Sequence, residues 1–261
     1  GVAGISVSYH ETMADAENNV GAITANTYVN IVAKMQTIYV RVESATIATD
    51  CASFVELQLI VNPTPQITDP SPLEVCDDDA DGFATFDLTQ IEPEVLNLLD
   101  ADTTNDLDPA QYIVSYYIDE TNANNGTNPI ATPDAFVNTI ANAQTIWIRV
   151  TDNTNSCATV RSLDLIVNPL PVLVQPDPLE LCDVNNTGDE MEEFNLEDAN
   201  AQILNGQNGI TLTYYLTQAD ADAGVNPLPT LYTNIVNAQT IYVRAQINVT
   251  GCYDTITLDL R

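Results

Sequence analysis

One seven-residue stretch is written three times in this chain. Gln36-Thr37-Ile38-Tyr39-Val40-Arg41-Val42 returns as Gln144-Thr145-Ile146-Trp147-Ile148-Arg149-Val150 and as Gln239-Thr240-Ile241-Tyr242-Val243-Arg244-Ala245. Each copy alternates aliphatic and β-branched residues with an aromatic and an arginine, the period-two pattern of a half-buried strand. Ile38, Val40 and Val42 fall on one face, and Tyr39 and Arg41 on the other. Three copies make the chain a tandem repeat, with one sheet organised around each copy. The chain holds 6 Lys and Arg against 37 Asp and Glu, yet Arg41, Arg149 and Arg244 occupy one repeated position. A cation kept there in so acidic a chain is expected to be a structural fixture.

The flanking residues repeat in the same order. Val7-Ser8-Tyr9 aligns with Val114-Ser115-Tyr116 and Leu212-Thr213-Tyr214, and Tyr28-Val29-Asn30 with Phe136-Val137-Asn138 and Tyr232-Thr233-Asn234. Residues 1–65 therefore read as the C-terminal part of a truncated module, residues 66–169 as a complete module and residues 170–261 as another. The complete modules open with short strands at Leu73–Cys76 and its counterpart near Cys182. Ile91–Leu99 has helical spacing, and the Asn-rich stretch 121–128 reads as loop. Pro63, Pro65, Pro70 and Pro72 recur as Pro169, Pro171, Pro176 and Pro178. These stretches are either stiff extended linkers or edge strands that open each sandwich. About seven short strands per repeat give an all-β fold of tandem immunoglobulin-like β-sandwich modules, one partial and two complete.

A net charge of −31 argues against nucleic acid and anionic membranes as partners and in favour of divalent cations. No apolar run reaches the length of a membrane span, so no membrane insertion is expected. No signal peptide is recognisable, and the chain reads as a piece of a longer exported polypeptide.

Five cysteines are present. Each complete module has one on its first strand (Cys76, Cys182) and one before its last (Cys157, Cys252). If first and last strands lie together, the pairs are Cys76–Cys157 and Cys182–Cys252, with the partner of Cys51 in the missing half-module. Disulfides imply an extracellular setting; the competing reading is reduced structural thiols.

After Cys76 the chain reads Asp77-Asp78-Asp79-Ala80-Asp81-Gly82-Phe83. Carboxylates at positions 1, 3 and 5 with glycine at 6 open a calcium loop. Asp77, Asp79 and Asp81, the Phe83 carbonyl and Asp87 are the expected ligands. In the third module Asp183, Asn185 and Thr187 take the same positions before Gly188, with less charge. The alternative in both is a solvated acidic turn in which the glycine supplies a positive φ. A further acidic loop holds Asp100, Asp102, Asp106 and Asp108.

Catalytic frames are not found: there is no G-x-S-x-G, no phosphate-binding loop and one histidine. His10 falls where the other copies have Tyr117 and Tyr215, which points to structure. Trp147 suggests sugar stacking, but its counterparts Tyr39 and Tyr242 favour sheet packing. The expectation is a non-enzymatic protein.

The frame Pro-Leu-Glu-x-Cys-Asp, Asp-Gly-x-x-x-Phe-Asp-Leu, Tyr-Tyr, Gln-Thr-Ile-(Tyr/Trp)-x-Arg-Val, Cys and Val-Asn-Pro-x-Pro resembles the repeat modules of large cell-surface proteins exported by the type IX secretion system of Bacteroidetes, including gliding-motility adhesins. The resemblance covers essentially the whole chain. It implies an extracellular cell-surface address and a stalk or filament of many copies, in contact mainly with neighbouring modules. It also implies O-glycosylation at Asp-Thr motifs, here Thr103 and Thr255. The expected function is a structural spacer of a secreted adhesin, stiffened by disulfides, proline-rich linkers and calcium. The alternative is a module that itself binds carbohydrate or a surface.

Overall fold

The computed structural model describes residues 4–44, 51–99 and 102–261. Asp100 of the acidic loop lies outside them. The chain divides into two compact units, one of residues 1–66, 107–113 and 150–159, the other of residues 67–106, 114–149 and 160–261.

In the first unit, strand β1 (Ile5–His10), helix α1 (Met13–Asn18), strand β2 (Met35–Ser44) and strand β3 (Ala52–Ile60) form the first repeat. The sheet is antiparallel in the order β1-β2-β3, with Tyr9 opposite Val40 and Ile38 opposite Leu57. The thrice-written stretch is thus the central strand. His10 is buried, with Nδ1 2.8 Å from the Val20 carbonyl and Nε2 2.8 Å from Ser8 Oγ. This is a structural role.

The second repeat begins with β4 (Leu73–Cys76) and β5 (Thr85–Phe86), then a 3-10 turn (Leu88–Ile91) and helix α2 (Glu92–Val95). Strand β6 (Tyr112–Tyr117), helix α3 (Glu120–Asn125), β7 (Phe136–Val137), β8 (Ala143–Asp152) and β9 (Ala158–Asn168) follow. The main sheet runs β4-β9-β8-β6, and β5 pairs with β7. Phe86, Leu88, Ile91 and Val95 of the front segment are buried together with Ile146, Ile148, Leu163 and Leu165. The third repeat has the same plan: β10 (Glu193–Asn195), a 3-10 turn (Leu196–Ala199), α4 (Asn200–Leu204), β11 (Ile210–Tyr215), α5 (Gln218–Ala223), β12 (Leu231–Thr233), β13 (Gln239–Ile247) and β14 (Tyr253–Leu260). Its sheet is β11-β13-β14, joined by a parallel bridge from Leu179 to Leu260. Phe194, Leu196 and Ile203 pack against Ile241, Val243 and Leu258 in one core. Several sheets per chain, each repeat built alike, make this a tandem immunoglobulin-like β-sandwich fold.

The repeated arginine is explained by the short helices. Arg41 Nη1 donates to the carbonyls of Ala16 and Glu17, Arg149 Nη1 to Ala123 and Asn124, and Arg244 Nη1 to Ala221 and Asp222. Each guanidinium adds a charged donor to the last carbonyls of a six-residue helix, the first of which also accepts from the cap N–H of Asn19, Gly126 or Gly224. This corrects the reading of residues 121–128 as loop. Asp119 caps the N-terminus of α3, Gly126 takes the left-handed conformation after it, and Arg149 holds its last carbonyls.

The disulfide pairing is also corrected. Cys76 bonds to Cys252, with Cα atoms 5.5 Å apart, so neither Cys76–Cys157 nor Cys182–Cys252 forms. First and last strands do lie side by side, but β4 runs parallel to β9 and Cys76 pairs with Asn168, at the far end of β9. Cys157 precedes the start of that strand, at its opposite end. A disulfide needs Cα atoms within about 7 Å.

Candidate functional site

Two features meet where the second and third repeats are joined. The first is the bond from Cys76, at the end of the opening strand of one repeat, to Cys252, in the turn before the last strand of the next. Cys252 is buried, and its N–H donates to Thr250 Oγ1 at 3.3 Å. By repeat position Cys182 stands where Cys76 stands, and Cys51 and Cys157 stand where Cys252 stands. Cys157 and Cys182 carry thiols rather than disulfides.

The second feature is the acidic turn directly after Cys76. Carboxylate oxygens of Asp77, Asp79 and Asp81 lie within 4.8 Å of one another. Asp77 is buried, and its carboxylate closes the turn: Oδ1 accepts from the N–H groups of Asp79 and Ala80, and Oδ2 from Gly82 at 2.9 Å. Burial works against the charged form of Asp77, but the backbone donors outweigh it and hold its carboxyl below the usual range. Asp79 is pushed the other way, by desolvation and then by the charge of Asp81. A cation placed among the three would relieve that repulsion. Asp77 and Asp78 also line a cleft of about 400 Å³ with Asp222, Asp254 and Thr255 of the third repeat.

The remaining expected ligands are placed differently. Asp87 caps the following 3-10 turn, accepting from the Thr89 N–H at 3.0 Å, and is not among the converging carboxylates. Phe83 donates its N–H to Asp81 Oδ1 at 2.8 Å. In the third repeat Asp183 Oδ2 accepts from Gly188 at 2.6 Å, as Asp77 accepts from Gly82. There Glu192, reaching back, accepts from the N–H groups of Val184 and Asn185, and these donors hold its carboxyl below the usual range. Asn185 donates to Glu192, Thr187 is exposed, and Asp183 Oδ1 is buried without a hydrogen-bond partner. Thr103 is exposed, and the Thr255 hydroxyl accepts from Gln218 Nε2 at 2.9 Å.

Sequence reasoning used Asn138, Asn234 and the glutamines Gln36, Gln144 and Gln239 only as alignment marks. They are buried polar latches. Gln144 Oε1 accepts from the N–H groups of Thr139 and Ile140, and Gln239 Oε1 from Ile235. Asn138 accepts from the Ala84 N–H at 2.7 Å and donates to the carbonyls of Gly82 and Ile140. Their recurrence beside apolar strands was the available signal.

A family model, the Flavobacterium inter-domain disulphide bond domain, matches residues 1–65, 72–171 and 178–261. The chain belongs to this family. Its name describes what Cys76 and Cys252 do here. No curated protein matches the chain in sequence. Among solved structures, a three-immunoglobulin-domain variant fragment of titin is 13% identical and aligns over 100% of this chain and 88% of its own, with a TM-score of 0.31. The cadherin-like domains 1 to 4 of zebrafish RET are 12% identical over 98% of this chain and 65% of theirs, with a TM-score of 0.22. Scores this low add nothing to the strand pairing described above. The membership supports a multi-domain structural repeat whose modules contact one another; no described helix is long and apolar enough to cross a membrane.

Proposed function

We propose that the chain is a run of structural repeats from the extracellular, cell-surface stalk of a large adhesin, stapled repeat to repeat by disulfides. The observation that carries this reading is the Cys76–Cys252 bond, which joins the opening strand of one repeat to the closing hairpin of the next. The family name and the resemblance to type IX-exported, gliding-motility surface proteins support the address. Calcium is assigned to Asp77, Asp79 and Asp81, where convergent carboxylates border the cleft between the second and third repeats. A cation there would neutralise Asp77 and Asp78 against Asp222 and Asp254, drawing the repeats together.

Small-angle scattering of the oxidised chain, the reduced chain and the chain with chelator tests both parts. Reduction should broaden the distribution of distances between repeats, and superimposable oxidised and reduced profiles would remove the staple reading. Calcium should raise the thermal midpoint by several degrees and saturate. An identical midpoint in EGTA would leave the turn as a solvated one.

A further inference from the structure

The two sulfurs of the Cys76–Cys252 bond have unlike surroundings. Cys252 is fully buried, whereas Cys76 is exposed and lines the cleft of about 400 Å³ between the second and third repeats. A disulfide is opened by a thiolate that attacks one of its sulfurs, and access decides which one. Here the accessible sulfur is that of Cys76.

The cleft also bears on which thiolates arrive. Asp77 and Asp78 line it from the second repeat, and Asp222 and Asp254 from the third. Asp222 Oδ1 accepts from Gln218 Nε2 and Asp254 Oδ1 from the Thr255 N–H, each at 2.7 Å, so neutral donors leave both charges in place. The neighbouring cation is Arg244, whose guanidinium lies over the Tyr253 ring and donates to the carbonyls of Ala221 and Asp222. Four carboxylates against one guanidinium make the approach to Cys76 strongly negative. An attacking thiolate carries negative charge into that cleft, and the electron pair it displaces becomes a second negative charge on buried Cys252. Every negative substituent on the reagent adds to the repulsion.

We propose that the Cys76 sulfur is the thiol-exchange site of the staple and that the carboxylates around it select the reagent: thiols bearing a cationic group open the bond, and thiols bearing an anionic group are turned away. In the first step the thiolate bonds to Cys76 Sγ, and the Cys76–Cys252 bond breaks with its electron pair on Cys252. A second thiolate then attacks the reagent sulfur of the mixed disulfide and frees Cys76. Both cysteine thiolates take protons from water. The bond has gained two electrons, and two reagent thiols have become one disulfide. A divalent cation at Asp77, Asp79 and Asp81 weakens the selection, so the ion that draws the repeats together also opens their bond to acidic thiols. That last part rests on the calcium reading, and the selection itself does not.

The test uses the full oxidised chain with its other thiols alkylated. The reagents are cysteamine, 2-mercaptoethanol and 2-mercaptoethanesulfonate, whose attacking thiolates are zwitterionic, singly negative and doubly negative. Each rate is taken per thiolate and divided by the rate on hydroxyethyl disulfide, which removes intrinsic nucleophilicity. At low ionic strength the relative rate should fall about fivefold with each added negative charge, and by less than about twofold in molar salt. Asp222→Asn together with Asp254→Asn should flatten the low-salt series to about twofold per charge. The trapped mixed disulfide, located by peptide mass, should sit on Cys76. Equal relative rates for the three thiols, or a series that the two asparagines leave unchanged, would overturn the selection. Reagent trapped on Cys252 would overturn the site. Calcium at constant ionic strength should compress the series; a series equally steep with calcium would keep the selection and remove the ion from the turn.

Discussion

Replacing Cys76 with serine removes the disulfide that ties the second repeat to the third, and the structure sets the size of the loss. When the third repeat unfolds while the second stays folded, Cys76 and Asn168 remain neighbours, so the disulfide closes a loop of about 85 residues from Asn168 to Cys252. When the second unfolds against the third, the loop from Cys76 to Leu170 is of similar length. Chain entropy assigns about 4.6 kcal/mol to a loop of that size. Native-state hydrogen exchange reads each repeat separately, through the central strands β2, β8 and β13. In the Cys76→Ser chain, exchange through repeat unfolding should accelerate by about three powers of ten in β8 and β13. Strand β2 should stay as it was, since its repeat lies outside the loop. Acceleration of less than about tenfold in β8 and β13 would refute the reasoning, as would an equal change in β2.

Asn138→Ala leaves the Ala84 N–H without its acceptor, while the Gly82 carbonyl keeps the Asn142 N–H, and should destabilise the second repeat by about 1–3 kcal/mol in urea unfolding followed by Trp147 fluorescence. Gly82→Ala should cost at least as much in that assay, because φ is +80° and a Cβ would stand 2.8 Å from Asn142 Oδ1. Arg244→Ala should lower the third repeat by about 1.5–3 kcal/mol, read by exchange in β13, since two helix-end carbonyls lose a charged donor and the guanidinium leaves the face of Tyr253, 3.2 Å from its centroid. The hydroxyl and N–H of Thr154 hold the Asp152 carboxyl below its ordinary value of 3.8. A depressed folded value stabilises the fold above the unfolded one and is lost as pH falls through the folded one. The stability gap between wild type and Asp152→Asn should therefore be full near neutrality and close below about pH 4; a gap independent of pH would refute it.

The strands were legible because their signal is local. The copies of Gln-Thr-Ile-aromatic mark β2, β8 and β13 by alternation alone, and Leu73–Cys76 is a strand as its residues indicate. What escaped depends on partners distant in sequence. Adjacency of first and last strands was read correctly, but a composition cannot tell parallel from antiparallel, and that one choice moves Cys76 from the Cys157 end of β9 to the other. Helix α3 was hidden by its asparagines, although Asp119 and Gly126 are cap residues in plain view. Its last carbonyls are held by Arg149, 25 residues on. At the acidic turn the spacing of Asp77, Asp79 and Asp81 did foretell their convergence. Asp87 was misplaced because the same carboxylate suits a helix cap two residues before Thr89.

The Cys76–Cys252 bond also decides where a pulling force travels. Tension entering from the linker before Leu73 reaches Cys76, crosses the sulfur bridge to Cys252 and leaves along β14. That path is covalent, and residues 77–251, which lie between the two cysteines, are off it. Both cores between them are shielded from the load, and the roughly 600 Å of slack that their unravelling would release is withheld. Under tension the oxidised pair of repeats is a link of fixed length, and the same chain reduced is an extensible one.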